Sequence, residues 1–106
     1  MEEQKLYKKY SKDRHWEKHP TIYAERFINF LKNINFNGKI ADLGCGDGRD
    51  INVFSKQGFD VLGIDISQKE IENAKRNFPE LKFEIQNIEN LKFKNNSIDA
   101  YFMINV

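Results

Sequence analysis

A chain of 106 residues with a formal net charge of +1 makes one domain with a single modest core. Its 40% hydrophobic and 31% charged content excludes a disordered segment, and its near-neutral balance excludes holding a phosphate backbone by bulk electrostatics. Cys45 is the single cysteine, so no internal disulfide forms and a reducing, cytoplasmic setting is expected; the charged N-terminus has no apolar signal region, and no run reaches membrane-spanning length.

Residues 1–19 are polar and mixed in charge, with Leu6, Tyr7 and Tyr10 at helical spacing and then Trp16. They predict a short helical cap ahead of a main domain at 20–106, ended by His19-Pro20, where the residue before proline leaves the helical region. An amphipathic helix is expected from Thr21 to about Asn33, with Tyr23, Phe27, Phe30, Leu31 and Ile34 on one apolar face. Asn37-Gly38 then turns the chain into a first strand containing Ile40 and Leu43. Directly after it Gly44, Gly46 and Gly48 occupy alternate positions, and a helical pattern resumes at Ile51, Val53 and Phe54. Glycines at such a turn let a bound molecule approach the main chain, while the following helix aims unpaired N–H groups at the same place.

The helix over 49–56 is expected to close on Gly58 as a left-handed cap. Val61 to Ile64 is almost continuously apolar, as in a parallel strand covered on both faces, and it terminates in Asp65. Ser67 to Glu70 reads as a capping box opening a helix that runs to about Asn77 and is stopped by Pro79. Leu81 to Gln86 makes a third strand, residues 87–93 a loop or short turn, 94–97 a polar turn, and Ile98 to Val106 a fourth strand.

This alternation predicts an α/β fold, a Rossmann-like doubly wound parallel sheet of order 3-2-1-4 with its switch point, and hence its ligand site, beside the first strand. The fourth strand carries no terminating turn or charge cluster, so the expectation is a domain truncated after that strand. The alternative is self-association, the fourth strand pairing with another copy or another chain.

Dinucleotide folds place G-x-G-x-x-G after the first strand. Gly44 and Gly46 match, but Arg49 stands where the third glycine belongs. Asp42, two residues before the turn, sets a carboxylate where a dinucleotide carries its pyrophosphate, and like charges there are costly. A ligand with an ammonium and a sulfonium centre finds the same carboxylate favourable, and S-adenosylmethionine is such a ligand.

The stretch I-A-D-L-G-C-G-D-G-R-D, followed by V-L-G-I-D-I-S and later by I-Q-N-I-E-N-L-K-F-K-N-N-S-I-D-A-Y-F-M-I-N-V, resembles the class I S-adenosylmethionine-dependent methyltransferases. Within them it is most similar to the small-molecule group called type 11. The G-R-D continuation with G-F-D-V-L-G-I-D-I-S is also similar to the tellurite-resistance and thiopurine methyltransferase branch. The resemblance covers residues 38–106 and implies in-line methyl transfer from S-adenosylmethionine to a small-molecule acceptor; the charge balance argues against a nucleic acid as partner, and the lack of a spanning run against a membrane.

It implies, further, that Gly44, Cys45, Gly46 and Gly48 let the backbone approach the methionine and ribose portion, and that Asp42 favours the cationic methionine end through water or backbone amides. Asp65 would accept from the ribose hydroxyls, with a surface-turn role as its alternative, and Ile66 would lie on the adenine face. Asn87, where many relatives have Asp, would face the adenine amino group, with the Ile88 N–H on a ring nitrogen; a plain turn asparagine is the alternative. Met103 or Ile104 would offer a carbonyl to the ammonium, and Tyr7, Tyr10 and Trp16 would cap the acceptor pocket.

No catalytic base is assigned, since a thiolate or amine acceptor needs none. Cys45 reads as a small residue between glycines, because Asp42 and Asp47 would raise its pKa. Arg49 and Asp50 are expected to pair with each other or to neutralise the helix start, and His15 and His19 lack metal-ligand spacing. Two other readings stand beside the enzyme: a non-catalytic cofactor-binding half-domain that assembles with another chain, and a different nucleotide-binding Rossmann protein.

Overall fold

The computed structural model describes residues 21–94 and 96–104, so the expectations for the cap at 1–19, for His19-Pro20 and for Asn105 and Val106 lie outside the described residues. Helix α1 (Ile22–Asn33) starts at Thr21, an extended N-cap whose hydroxyl accepts from the Ala24 N–H at 3.2 Å. It ends with Asn35 at φ 54, where the N–H groups of Phe36 and Asn35 donate back to the carbonyls of Leu31 and Lys32. Asn35 therefore makes the turn, two residues before the expected Asn37-Gly38.

The buried face of α1 differs from the expected one. Ala24, Ile28 and Leu31 are buried with Phe27 packed beside them, whereas Tyr23, Phe30 and Ile34 are more than half exposed. Two overlapping apolar stripes run along this helix, and aromatic packing selects one. Phe27 stacks on Phe102 at 5.2 Å and meets Phe54 edge-on at 6.0 Å, which turns Tyr23 and Phe30 outward.

Strands β1 (Lys39–Leu43), β2 (Asp60–Asp65), β3 (Lys82–Ile85) and β4 (Ala100–Met103) form one parallel sheet in the order β3-β2-β1-β4, as expected. The crossovers are α2 (Arg49–Lys56) and α3 (Gln68–Asn77), and a 3-10 turn covers Ile88–Asn90. Because strand side chains alternate between faces, Ile40, Val61, Phe83 and Phe102 join the core under the helices, together with Ile51, Phe54 and Ile71. Ala41, Leu43, Leu62 and Ile64 face the other side, where Ile88, Leu91, Phe93 and Ile98 pack on them. Ile98 is thus a packing residue ahead of β4 rather than its first residue. β4 is an edge of this sheet, with Tyr101 and Met103 exposed on it.

Helix α2 is bounded by glycines at both ends. Gly58, at φ 90, closes it as expected, with the Phe59 N–H returning to the Phe54 carbonyl. Gly48, at φ 88, is its N-cap, and a Cβ there would stand 2.9 Å from the Phe83 ring and 3.1 Å from that of Phe78. Left-handed strain and overpacking act together at this position, so Gly48→Ala is expected to destabilise the chain by about 3 kcal/mol, read as a lower urea midpoint at unchanged slope.

The capping box of α3 forms on one side. The Ser67 hydroxyl accepts from the Glu70 N–H at 3.2 Å, but the Ser67 N–H donates to Asp65 Oδ1 at 2.9 Å. Glu70, released from that return bond, lines the cleft described below. No helix among the described residues is long and apolar enough to cross a membrane.

Candidate functional site

The switch point between β2 and β4 lies at the C-terminal end of β1, and the cleft opens there, as it does in open α/β sheets. It encloses about 370 Å³ between the glycine turn, the first turn of α1 (Thr21, Ile22, Tyr23) and Ile104 after β4. Asp42, Gly44, Cys45 and Gly46 line it, so four of the expected site residues share one cavity. Of the pair Met103 and Ile104, Ile104 lines the cleft, while Met103 is 59% exposed on β4. Gly48 is turned away toward Phe78 and Phe83.

The glycine turn has already used four of its amides. The N–H groups of Gly44 and Cys45 donate to the Ile64 carbonyl at 2.7 and 2.9 Å, and that of Gly46 donates to Asp65 Oδ2 at 3.0 Å. Gly48 donates to the Cys45 carbonyl and Arg49 to Asp47 Oδ1. Of the helix-start amides expected to stay unpaired, that of Arg49 is therefore taken by Asp47. A phosphate cradle requires free donors, and here those of Gly44, Cys45 and Gly46 hold the turn to β2 instead.

Carboxylates dominate the cleft wall: Asp42, Asp47, Asp50 and Glu70 all reach it, with Arg49 beside them. Asp42 is 3% exposed, and its carboxylate has no hydrogen-bond donor among the described residues. Burial first, then the neighbouring Asp50 and Asp65, push its pKa up to about 8. Asp47 is also raised by burial, against the Arg49 N–H and guanidinium, which lower it. Burial, with Asp42 and Asp65, pushes the Cys45 thiol well upward, which removes it as a thiolate nucleophile. Its sulfur packs near Gly63, whose Cβ would lie 3.0 Å from it.

Asp50 feels the Arg49 charge, which favours its ionised form, but it does not remain at the helix start as a solvated group. It is 7% exposed and reaches 29 residues back: Oδ1 accepts from the Thr21 N–H at 2.8 Å and Oδ2 from the Thr21 hydroxyl at 3.0 Å. Those two donors oppose the upward pull of burial on its pKa. Sequence reasoning missed this pair, and the one available signal was Thr21 as an N-cap directly after Pro20.

The remaining expected residues lie at the ends of β2 and β3, outside the lining of the cleft. Asp65 is tied to the turn through Gly46 and to α3 through Ser67, and Ile66 beside it is 63% exposed. Asn87 accepts from the Glu89 N–H at 2.9 Å and so caps the 3-10 turn, while Ile88 packs on the lower sheet face.

A family model described as a methyltransferase domain matches residues 40–106. Over 73 residues the chain is 30% identical to the mRNA cap guanine-N(7) methyltransferase of Schizosaccharomyces pombe, covering 58% of this chain and 20% of that enzyme. Among solved structures, it is similar to the plantazolicin methyltransferase BpumL in complex with a pentazolic desmethylPZN analog and SAH (26% identity, TM-score 0.67, 89% of this chain and 39% of that one). A SAM-dependent methyltransferase from Methanosarcina mazei is 27% identical with a TM-score of 0.58, over 61% of this chain and 35% of that one. The chain spans between 19% and 25% of the length of the curated relatives it matches. Sheet order, glycine turn and the span of the family match agree, and the chain belongs to the methyltransferase domain family, with the Rossmann-like fold of the class I S-adenosylmethionine-dependent enzymes.

Proposed function

We propose that this chain holds S-adenosylmethionine for methyl transfer to a small-molecule acceptor. One observation carries the reading: a carboxylate, Asp42, buried in the cleft without a donor among the described residues, beside other carboxylates. A cation entering the cleft gives Asp42 a partner, whereas a pyrophosphate would meet four carboxylates and a turn in which the amides of Gly44, Cys45, Gly46 and Gly48 are already committed. The residues present therefore fit the methionine end of the cofactor. When bound, the cofactor supplies an activated methyl group on a sulfonium centre.

The chain's own residues bind and orient. Asp42 fixes the cationic end, Gly44, Cys45 and Gly46 let the main chain come close, and Ile104 offers its carbonyl beside them. Asp65 retains a free lone pair on each oxygen for the ribose hydroxyls, since each accepts a single backbone N–H. Ile66, Asn87 and Ile88 form the adenine side, next to Asp65 in the chain or at the end of β3. Walls from the first turn of α1 exclude water from one side. No proton transfer by the protein is required, and no base is assigned. The net charge of +1 and the acidic cleft favour a small acceptor over a polyanion. A cytoplasmic setting, and self-association by strand addition at the exposed β4 edge, belong to the same reading.

Calorimetry separates this reading from a dinucleotide fold. The chain is expected to bind S-adenosylhomocysteine and to show no heat with NAD; tight NAD binding with no affinity for S-adenosylhomocysteine overturns it.

A further inference from the structure

One wall of the cleft is the first turn of α1, and the Asp50 side chain ties it to α2. Asp50 takes both donors of Thr21, the N–H at 2.8 Å and the hydroxyl at 3.0 Å. The same hydroxyl accepts from the Ala24 N–H at 3.2 Å, so Thr21 both starts the helix and joins it to α2. Both carboxylate oxygens are used, and Asp50 is 7% exposed, so water competes weakly for them.

Farther along, α1 is held by packing: Phe27 against Phe54 and Phe102, with Ile28 and Leu31 buried. Its first turn presents exposed Ile22 and Tyr23, which line the cleft, and buries only Ala24. The anchoring of the two ends is thus different in kind. Aromatic burial fixes the last two turns, and a polar clamp fixes the turn that faces the ligand.

We propose that Asp50 is a positioning residue, a latch that holds Thr21, Ile22 and Tyr23 against the glycine turn and thereby sets how long the cofactor stays in the cleft. The proposal rests on the cofactor reading above. Opening the latch frees the first turn while leaving the rest of α1 docked, so ligand release accelerates without loss of the fold.

Two measurements on the full chain test it, at a temperature well below the melting point. Hydrogen exchange of the ligand-free chain reads the latch itself: in Asp50→Ala and Thr21→Val the amides of residues 22–25 are expected to exchange about tenfold faster, the size of one to two net hydrogen bonds, while those of residues 30–33 stay unchanged. Stopped-flow displacement of S-adenosylhomocysteine reads the consequence: release about tenfold faster in both variants, with Thr21→Ser, which keeps both donors, restoring slow release. Unchanged exchange at residues 22–25 overturns the latch. Faster exchange with release at the wild-type rate overturns its role in positioning, as does Thr21→Ser releasing as fast as Thr21→Val. A wild-type chain with no affinity for S-adenosylhomocysteine overturns the cofactor reading and this proposal with it, an outcome distinct from a wild-type chain that binds while its variants release it no faster.

Discussion

Asp42→Asn raises the melting temperature of the ligand-free chain at pH 9 and leaves it nearly unchanged at pH 3. The carboxyl's pKa is 3.8 in an unperturbed setting and about 8 in the fold, so between those values the folded state holds a proton that the unfolded state has lost. Stability is then full below pH 4 and falls as pH rises, by about 1.4 kcal/mol per unit, until it levels off above pH 8. Asp47 and Asp50, raised as well, act in the same direction. Over the whole window Asp42 alone accounts for about 6 kcal/mol, and the asparagine, with the same shape and no charge, escapes that loss. For a domain of this size each kcal/mol moves the midpoint by roughly 4–8 °C, so a difference of more than 10 °C between the two chains is expected at pH 9. A difference that does not change between pH 3 and pH 9 refutes it.

The same substitution should cost affinity. A buried carboxylate paired with a cation, once removed, leaves the cation without a partner, a loss of about 3 kcal/mol or 100-fold for S-adenosylmethionine at pH 8. The wild-type chain gains affinity from pH 6 to pH 8 as Asp42 ionises, and the variant shows no such gain. A residue that destabilises the empty fold while strengthening the loaded one is the pattern of a binding group rather than of a core residue.

How much of this could be read from the sequence varies with the range of the interaction responsible. The sheet order followed from short apolar runs separated by helical patterns, and the limits of α2 were legible because glycines stand at both ends, Gly48 and Gly58. These are local signals. The packed face of α1 was not legible, because Phe27 belongs to both apolar stripes and its partners Phe54 and Phe102 lie far along the chain. The Asp50–Thr21 clamp spans 29 residues and leaves no periodicity to detect. The site divides in the same way. Asp42, Gly44, Cys45 and Gly46, contiguous in sequence, share the cleft, but the consumption of the turn's amides by Ile64 and Asp65 arises only when β1 and β2 pair in register. That consumption is what separates this turn from a phosphate cradle, and no glycine count contains it.

Asp65 is tied into the architecture of the turn, so under the proposed ribose role a simple substitution there confounds two effects. Its oxygens accept from Gly46 and Ser67, which ties the glycine turn to the start of α3. Asp65→Ala leaves both N–H groups without acceptors, at a cost of about 1–3 kcal/mol each where they are buried, and weakens cofactor binding whether or not the carboxylate touches the ribose. A double-mutant cycle separates the two. If Asp65 accepts from the ribose hydroxyls, removing the 2′-hydroxyl from S-adenosylhomocysteine costs the wild-type chain one charge-assisted hydrogen bond, about 1.5–3 kcal/mol or 10- to 100-fold in Kd. Against Asp65→Ala the same deoxy ligand binds within about threefold of the parent compound, because the partner of that hydroxyl is already gone. Titration calorimetry of the four combinations gives the coupling directly. An equal loss in both chains assigns Asp65 to the architecture of the turn and takes the ribose away from it.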